Sequence, residues 1–146
     1  MPGERGGPYV LMAVFCEKVL QEADGVISVI RIVDRINIAP SGRGAPAQMP
    51  TIPLQLPALL SFKSGFVRSK CQVHLRAESP SGKETNVASL PVFFEGDDRG
   101  VNLILNLVFQ AEEEGLYWFS VSIEDDVVTR IPLRILYQYA QGELPN

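Results

Sequence analysis

The chain has 146 residues, of which 46% are hydrophobic and 21% charged, and its formal net charge at pH 7 is −4. This length predicts a single domain large enough to bury roughly two thirds of the surface of its unfolded chain. The acidic balance, with arginines scattered along the chain, argues against nucleic acid or an anionic membrane as a partner, since either would need a basic face.

Two cysteines, Cys16 and Cys71, are too few for a disulfide framework, and we expect both to be free thiols in a reducing cytoplasm. The apolar run at residues 9–16 is short for the core of a signal peptide, and the charged Glu17 follows it immediately. No other run approaches the ~18 apolar residues that a membrane-spanning helix needs. The sequence therefore predicts a cytoplasmic protein without a membrane segment.

The N-terminal part of the chain predicts a tail followed by two strands. Residues 1–8 are rich in glycine and proline and are expected to form a flexible tail. We expect a first strand at residues 9–15, one helical turn at 17–23 and a second strand at 26–38. Alternation places four isoleucines of the second strand on its buried face: Ile30, Ile32, Ile36 and Ile38.

Asp34 interrupts this alternation, because it falls on the isoleucine face of the second strand. Either a bulge turns the carboxylate outward, or the carboxylate stays inside and accepts hydrogen bonds, since an unpaired buried carboxylate is costly. We expect a structural role for Asp34 in both cases.

Residues 39–53 are the one low-complexity stretch, with four prolines and two glycines. Proline is excluded from helix interiors and central strands, so the sequence predicts a loop. A loop of this length is either mobile or used for binding, because ordinary connections have about four to six residues. A strand is expected to resume at 54–63, near a sheet edge because it contains Pro57.

The clearest two-faced strand is predicted at residues 70–78, with Cys71 on its inner face and His74 on its solvent face. His74 is the only histidine, and it lacks the partners that a catalytic or metal site would need. Sequence motifs of nucleotide-binding loops, zinc proteases and serine hydrolases are absent as well. The sequence therefore predicts a protein without catalytic activity, cofactor or metal.

A further strand is expected at residues 85–94, and a polar loop with three carboxylates follows it. Asp97 and Asp98 lie in this loop, but the spacing does not match that of a calcium-binding EF-hand. We interpret the loop as an acidic, solvated connection.

Residues 100–137 predict three consecutive antiparallel strands joined by two polar turns, because apolar residues recur at every second position. The predicted inner faces are Val101, Leu103, Leu105, Leu107 and Phe109 in the first strand, Tyr117, Phe119, Val121 and Ile123 in the second, and Ile131, Leu133, Ile135 and Tyr137 in the third. Pro132 cannot donate a ladder hydrogen bond, so the last strand is expected to lie at a sheet edge or to carry a bulge there.

The tripeptide Gly115-Leu116-Tyr117 resembles the tyrosine corner of Greek-key sandwiches. In such a corner the phenol hydroxyl hydrogen-bonds to the backbone of the preceding loop, here residues 110–114. We interpret Tyr117 as a structural residue and not as a catalytic phenol.

The chain also resembles a family of small uncharacterised bacterial proteins. The residues that carry the likeness are Gly100 to Leu107, Gly115 to Phe119, Ile131-Pro132-Leu133, the Asp34-Arg35-Ile36 step and the proline-rich connection before Leu54. The likeness covers residues from about Tyr9 to Tyr137. It implies a two-sheet β-sandwich and no assigned activity, so it transfers no functional residues.

We therefore expect one all-β domain at residues 9–139, an immunoglobulin-like antiparallel β-sandwich of about eight strands, with a C-terminal tail at 140–146. The leading functional hypothesis is a non-catalytic protein-binding or assembly module whose partner is another protein or a second copy of the chain. Three arguments support it. Trp118 projects away from the core, and large aromatics often mark interfaces. The outward side chains Ile104, Val108, Trp118 and Leu136 would form an apolar patch if their strands were neighbours in one sheet. Sandwich edges, finally, can pair with a partner strand.

Two alternatives stay open. One is a small-ligand or carbohydrate site in the end loops, with Arg43, Asp97 and Asp98 as candidate residues, although these loops contain no aromatic stacking platform. The other is a hydrolase that uses carboxylates, because paired carboxylates converge in space and not along the chain.

Overall fold

The computed structural model describes residues 6–40 and 46–138, and it contains seven β-strands. The strands are β1 (Tyr9–Gln21), β2 (Ile27–Val33), β3 (Arg35–Ile38), β4 (Ile52–Glu78), β5 (Glu84–Ala111), β6 (Gly115–Ile123) and β7 (Asp126–Tyr137). Hydrogen bonding gives the order β2-β1-β4-β6-β7-β3, and β5 pairs with β4 in addition.

Two long strands, β4 and β5, form one hairpin that bends across its middle. Residues of both strands pair from Ile52 with Ala111 to Glu78 with Glu84, with register shifts around Gly65. Positive φ angles of 65° at Gly65, 92° at Gly96 and 54° at Asp97 mark the bend. Each strand therefore contributes one half to each of two layers.

Layer 1 consists of β2, β1, β4 residues 52–63 and β5 residues 100–111. Layer 2 consists of β5 residues 84–95, β4 residues 68–78, β6, β7 and β3. The sequence predicted these halves of β4 and β5 as separate strands. They are continuous because the bend is made within the ladder and needs no loop.

The two layers face each other across a core of aromatic and aliphatic side chains. Phe15 of layer 1 lies 4.8 Å from Phe119 of layer 2 between ring centroids, and Phe109 lies 5.3 Å from both Tyr117 and Phe119. None of these pairs belongs to hydrogen-bonded neighbouring strands, so the contacts cross between layers. The fold is an all-β sandwich, as the sequence predicted.

The predicted inner faces of residues 100–137 agree with the structure. Leu107, Phe109 and every predicted inward residue of β6 and β7 are buried, whereas the outward residues of β5 in this region are exposed. Leu103 and its inward neighbours at 101 and 105 are only half-buried. Pro132 pairs with Trp118, and β3 joins the other side of β7 only from Arg134 onward, so Pro132 lies at an edge as expected.

Three predictions about individual elements are wrong. The strand that contains Pro57 does not lie at a sheet edge, because β4 lies between β1 and β5 in layer 1. Residues 17–21 continue β1 and do not form a helical turn, because their backbone pairs with β2. The predicted strand at 26–38 is divided at Asp34 into β2 of layer 1 and β3 of layer 2. Ile30 and Ile32 are consequently exposed, at 37% and 60%, whereas Ile36 and Ile38 are half-buried.

One strand pair departs from the predicted antiparallel arrangement. β3 runs parallel to β7, with Arg35 paired to Arg134 and Ile38 to Tyr137. A short strand parallel to the last strand, together with a tyrosine corner at the start of the strand before it, is typical of immunoglobulin-like sandwiches. We therefore classify the fold as immunoglobulin-like.

Candidate functional site

The four candidate interface residues lie on opposite outer faces of the sandwich. Ile104 and Val108 belong to layer 1 and are 45% and 63% exposed. Trp118 and Leu136 belong to layer 2, where both are half-buried. Because the strands are not neighbours in one sheet, the four side chains do not form a common patch.

Trp118 is partly covered within its own layer. The Arg130 guanidinium lies over its ring at 5.9 Å from the ring centroid, and Trp118 pairs with Glu78 on one side and Pro132 on the other. Arg130 also reaches Glu78 at 3.7 Å. These contacts account for the position of Trp118 without a partner chain.

The candidate loop site is not assembled in the described residues. Asp97 pairs with Arg68 at 3.0 Å, and Asp98 lies beside it at the bend of the β4–β5 hairpin. Arg43 lies outside the described residues. Pro46, in the described part of the same connection, accepts a hydrogen bond of 2.6 Å from the Tyr137 hydroxyl. That contact is near the start of β4, at the opposite end of layer 1 from the bend.

Asp34 and His74, the other titratable residues considered from the sequence, lie beside hydrogen-bonding groups of neighbouring strands. Asp34 is exposed at the point where the chain passes from layer 1 to layer 2, and its backbone oxygen accepts a hydrogen bond of 3.0 Å from the Arg134 amide. His74 Nδ1 lies 2.7 Å from the Ser89 hydroxyl. Within residues 6–40 and 46–138, no group of three or more His, Cys, Asp or Glu side chains could hold a metal ion.

Both cysteines are buried and unpaired with each other. Burial raises the pKa of the Cys16 thiol above its ordinary value, which lowers its reactivity as a nucleophile. Its sulfur lies 3.8 Å from the Pro57 carbonyl oxygen across the β1–β4 ladder.

The predicted tyrosine corner is present. The Tyr117 hydroxyl donates to the Glu113 carbonyl at 2.5 Å and accepts from the Glu113 amide at 3.1 Å. Burial raises the pKa of the Tyr117 phenol, so it stays protonated and holds both bonds over the ordinary pH range. Tyr117 is 2% exposed, as a structural residue in a tyrosine corner is expected to be.

The feature that the sequence prediction did not locate is the outer edge of β5. Within the described chain β5 pairs with β4 alone, so its other edge is open in both layers. Exposed sheet edges are normally protected by charges, prolines or bulges, because they can pair with other chains. In layer 2 the edge has these protections, with Glu84, Pro91 and Glu95.

In layer 1 the edge has none of them. Residues 100–111, which we call the β5 edge segment, contain no charged residue and no proline (GVNLILNLVFQA). The remaining edges in the described chain differ: β3 has four residues, and β2 has a positive φ of 57° at Arg31. The part of β7 that β3 does not reach contains Pro132, and the part of β1 that β2 does not reach has a register shift between Val10 and Met12. The β5 edge segment is the long, regular and uncharged edge among them.

The direction of the backbone groups in this segment follows from two prolines of β4. Pro57 pairs with Asn106, and Pro53 pairs with Gln110. Proline has no N–H, and the Pro57 oxygen accepts from the Cys16 thiol on the side of β1, so we infer that Pro57 and Asn106 form a pair without mutual hydrogen bonds. The N–H and C=O groups of Asn106 therefore point to the open edge.

Because the register between Ile52 and Lys63 has no shift, the same direction repeats at every second residue. The residues whose backbone groups point to the open edge are Asn102, Ile104, Asn106, Val108 and Gln110. Their side chains are all exposed on the outer face of layer 1. The uncharged run was visible in the sequence, but its position at an edge was not.

Two concave surfaces adjoin this region. A cleft of 330 Å³ lies between the two halves of β5 above Phe109 and Tyr117, with the ion pair Lys83–Glu112 at 3.1 Å beside it. A groove of 770 Å³ is lined by residues of several strands of layer 1, such as Met12 of β1, Ile32 of β2 and Leu59 of β4. No helix in the described chain is long and apolar enough to cross a membrane.

Comparison with known proteins gives a family but no activity. The model of a family of unknown function, DUF6941, matches residues 11–136. A search of the curated proteins finds no match. The crystal structure of an immunoglobulin-like protein from Pseudomonas aeruginosa is similar, with 9% identity and a TM-score of 0.38 over 90% of this chain and 98% of that chain. The immunoglobulin-like character of the fold follows from the parallel β3–β7 pair and the tyrosine corner of this chain itself.

Proposed function

The chain belongs to the DUF6941 family of unknown function, and for this member we propose a non-catalytic protein-binding or assembly role. In this proposal the β5 edge segment pairs with a strand of another polypeptide and extends layer 1. The observation that carries it is the absence of any charge or proline along an open, regular edge of the sandwich.

Strand addition fits the chemistry of this edge. Main-chain hydrogen bonds supply affinity in such complexes, and alternate side chains supply specificity. The outward groups of Asn106 and the four residues that share its direction are the donors and acceptors, and Ile104 and Val108 offer apolar contacts on the outer face. An incoming strand would also cover Leu103, which is only half-buried.

The proposal is tested with Asn106→Pro, which removes an N–H that points to the open edge and leaves the ladder to β4 intact. Asn106→Ala is the matched control, because it removes the side-chain amide but keeps the backbone donor. We expect both variants to fold, as checked by circular dichroism. The wild type should associate with itself in solution or capture a protein from a lysate of the source organism. We expect Asn106→Pro to lose this binding and Asn106→Ala to keep it.

Equal binding by both variants would show that the contact does not use this edge, and the proposal would then be wrong. A wild-type chain that neither associates with itself nor captures a protein would overturn it as well. The predicted cytoplasmic location and the absence of a nucleic-acid partner remain predictions.

A further inference from the structure

The side chains of the β5 edge segment are arranged symmetrically about Asn106. Counting outward from it on the exposed face, Ile104 and Val108 stand at two residues, and Asn102 and Gln110 at four. Apolar thus mirrors apolar, and amide mirrors amide. When an antiparallel strand meets a copy of itself, residue i faces its mirror position across the two-fold axis, so like side chains at mirror positions make matched cross-strand pairs.

We propose that the partner of the β5 edge segment is a second copy of this chain, paired antiparallel about a two-fold axis at Asn106. The inference rests on the proposed function and names its partner and register. In this register Ile104 faces Val108 of the second copy, Asn102 faces Gln110, and Asn106 faces its own counterpart. Layer 1 of each copy becomes half of one continuous sheet.

The backbone supports this pairing. Since the N–H and C=O groups of Asn106 and of every second residue from 102 to 110 point to the open edge, they meet their counterparts directly. Five pairs that exchange two bonds each give about ten hydrogen bonds across the axis. The axis is perpendicular to the sheet, so inward side chains of both copies stay inward.

Neighbouring registers fit less well. With the axis at Ile104, Val108 would face Gly100 and Gln110 would face the charged Asp98. With the axis at Leu105, Ile104 would face an Asn106 and Asn102 would face a Val108, so apolar side chains would oppose amides. With the axis at Val108, Ile104 would face Glu112, a charged residue just past the strand. The Asn106 register also uses the whole segment, because Val101 then faces Ala111.

Electrostatics and burial point the same way. The segment carries no charge, so two copies of a protein with a net charge of −4 can pair here without like charges facing each other across the two strands. The half-buried Val101, Leu103 and Leu105 would gain cover from the inward side chains of the second copy. A foreign strand has no need of mirror symmetry in this segment.

The test measures solution mass and distances between spin labels in the full chain. Light scattering over a dilution series should give twice the 16.1 kDa chain mass for the wild type and the single-chain mass for Asn106→Pro. One variant carries the label at Asn102→Cys and another at Gln110→Cys. In the proposed register position 102 of one copy lies opposite position 110 of the other, so the two equivalent labels in each dimer are eight residues apart along the strands. We therefore expect a distance of about 27 Å in both variants. The buried Cys16 and Cys71 are shielded from labelling in folded protein.

Equality of the two distances is the decisive result. An axis at Leu105 would shorten the Asn102→Cys distance to about 20 Å and lengthen the Gln110→Cys distance to about 34 Å, and the proposed register would be wrong. A monomeric wild type would overturn the second copy as partner. If the monomeric wild type captures another protein, and this capture is lost in Asn106→Pro but kept in Asn106→Ala, the proposed function stands and the partner is a foreign strand.

Discussion

Tyr117 is the residue at which the sequence prediction was most specific. A glycine, one residue and a tyrosine entering a strand predicted both its burial and the loop that its hydroxyl reaches. The structure places Gly115 at a φ of 133°, and a β-carbon there would lie 2.7 Å from Pro80. The corner thus depends on a conformation and a close approach that glycine alone provides.

Tyr117→Phe should lower the free energy of unfolding by about 1–3 kcal/mol, because it leaves the Glu113 amide and carbonyl without the hydroxyl.

The free energy of unfolding of the wild type should also depend on pH through the Tyr117 phenol. Since the phenol pKa is raised in the folded state, wild-type stability is complete below about pH 10 and falls as the unfolded chain deprotonates above it. Urea unfolding of both proteins between pH 8 and 11 measures this. An equally steep decline in Tyr117→Phe would assign the effect to other groups.

At the scale of elements, the strand predicted at 26–38 shows where local patterns stop being informative. The alternation of isoleucines is regular on both sides of Asp34, so the sequence predicts one strand with one buried face. The structure divides it, because β2 pairs with β1 whereas β3 pairs with β7 in the other layer. The choice of partner strand is non-local, and it left Ile30 and Ile32 outside the core.

The β3–β7 pair gives a prediction on charge. Arg35 and Arg134 are exposed and directly paired, so two like charges lie side by side. Arg35→Glu should raise the free energy of unfolding by about 0.2–1 kcal/mol at low salt, and the gain should shrink as salt is added. Asn37→Glu is the control, because its paired residue is Leu136. A gain of equal size in the control would mean that the arginine pair is not its cause.

At the scale of the whole molecule, β4 and β5 join the layers into one unit. Each strand carries half of each layer, and the core aromatics contact one another across the interior. One layer therefore cannot lose its strands without breaking the other, and we expect a single cooperative transition.

Leu60→Ala in layer 1 tests this coupling. Leu60 is 0% exposed, so its truncation should lower the free energy of unfolding by about 2–5 kcal/mol. At a fixed protein concentration, Trp118 fluorescence, which reports on layer 2, and far-ultraviolet circular dichroism, which reports on both layers, should shift together. Separate midpoints for the two signals would mean that the layers unfold independently.

The sequence by itself determined the all-β class, the inner faces of residues 100–137 and the tyrosine corner, because these follow from period-two alternation and a short local motif. The family was indicated only by a resemblance, and the match of the family model to residues 11–136 shows it. Only the tertiary structure decided which strands share a layer. It separated Ile104 and Val108 from Trp118 and Leu136, and it put residues 100–111 at an open edge. The physical reason is that side-chain alternation fixes the face of each residue within its own strand, whereas neighbours and edges depend on pairing between strands far apart in the chain.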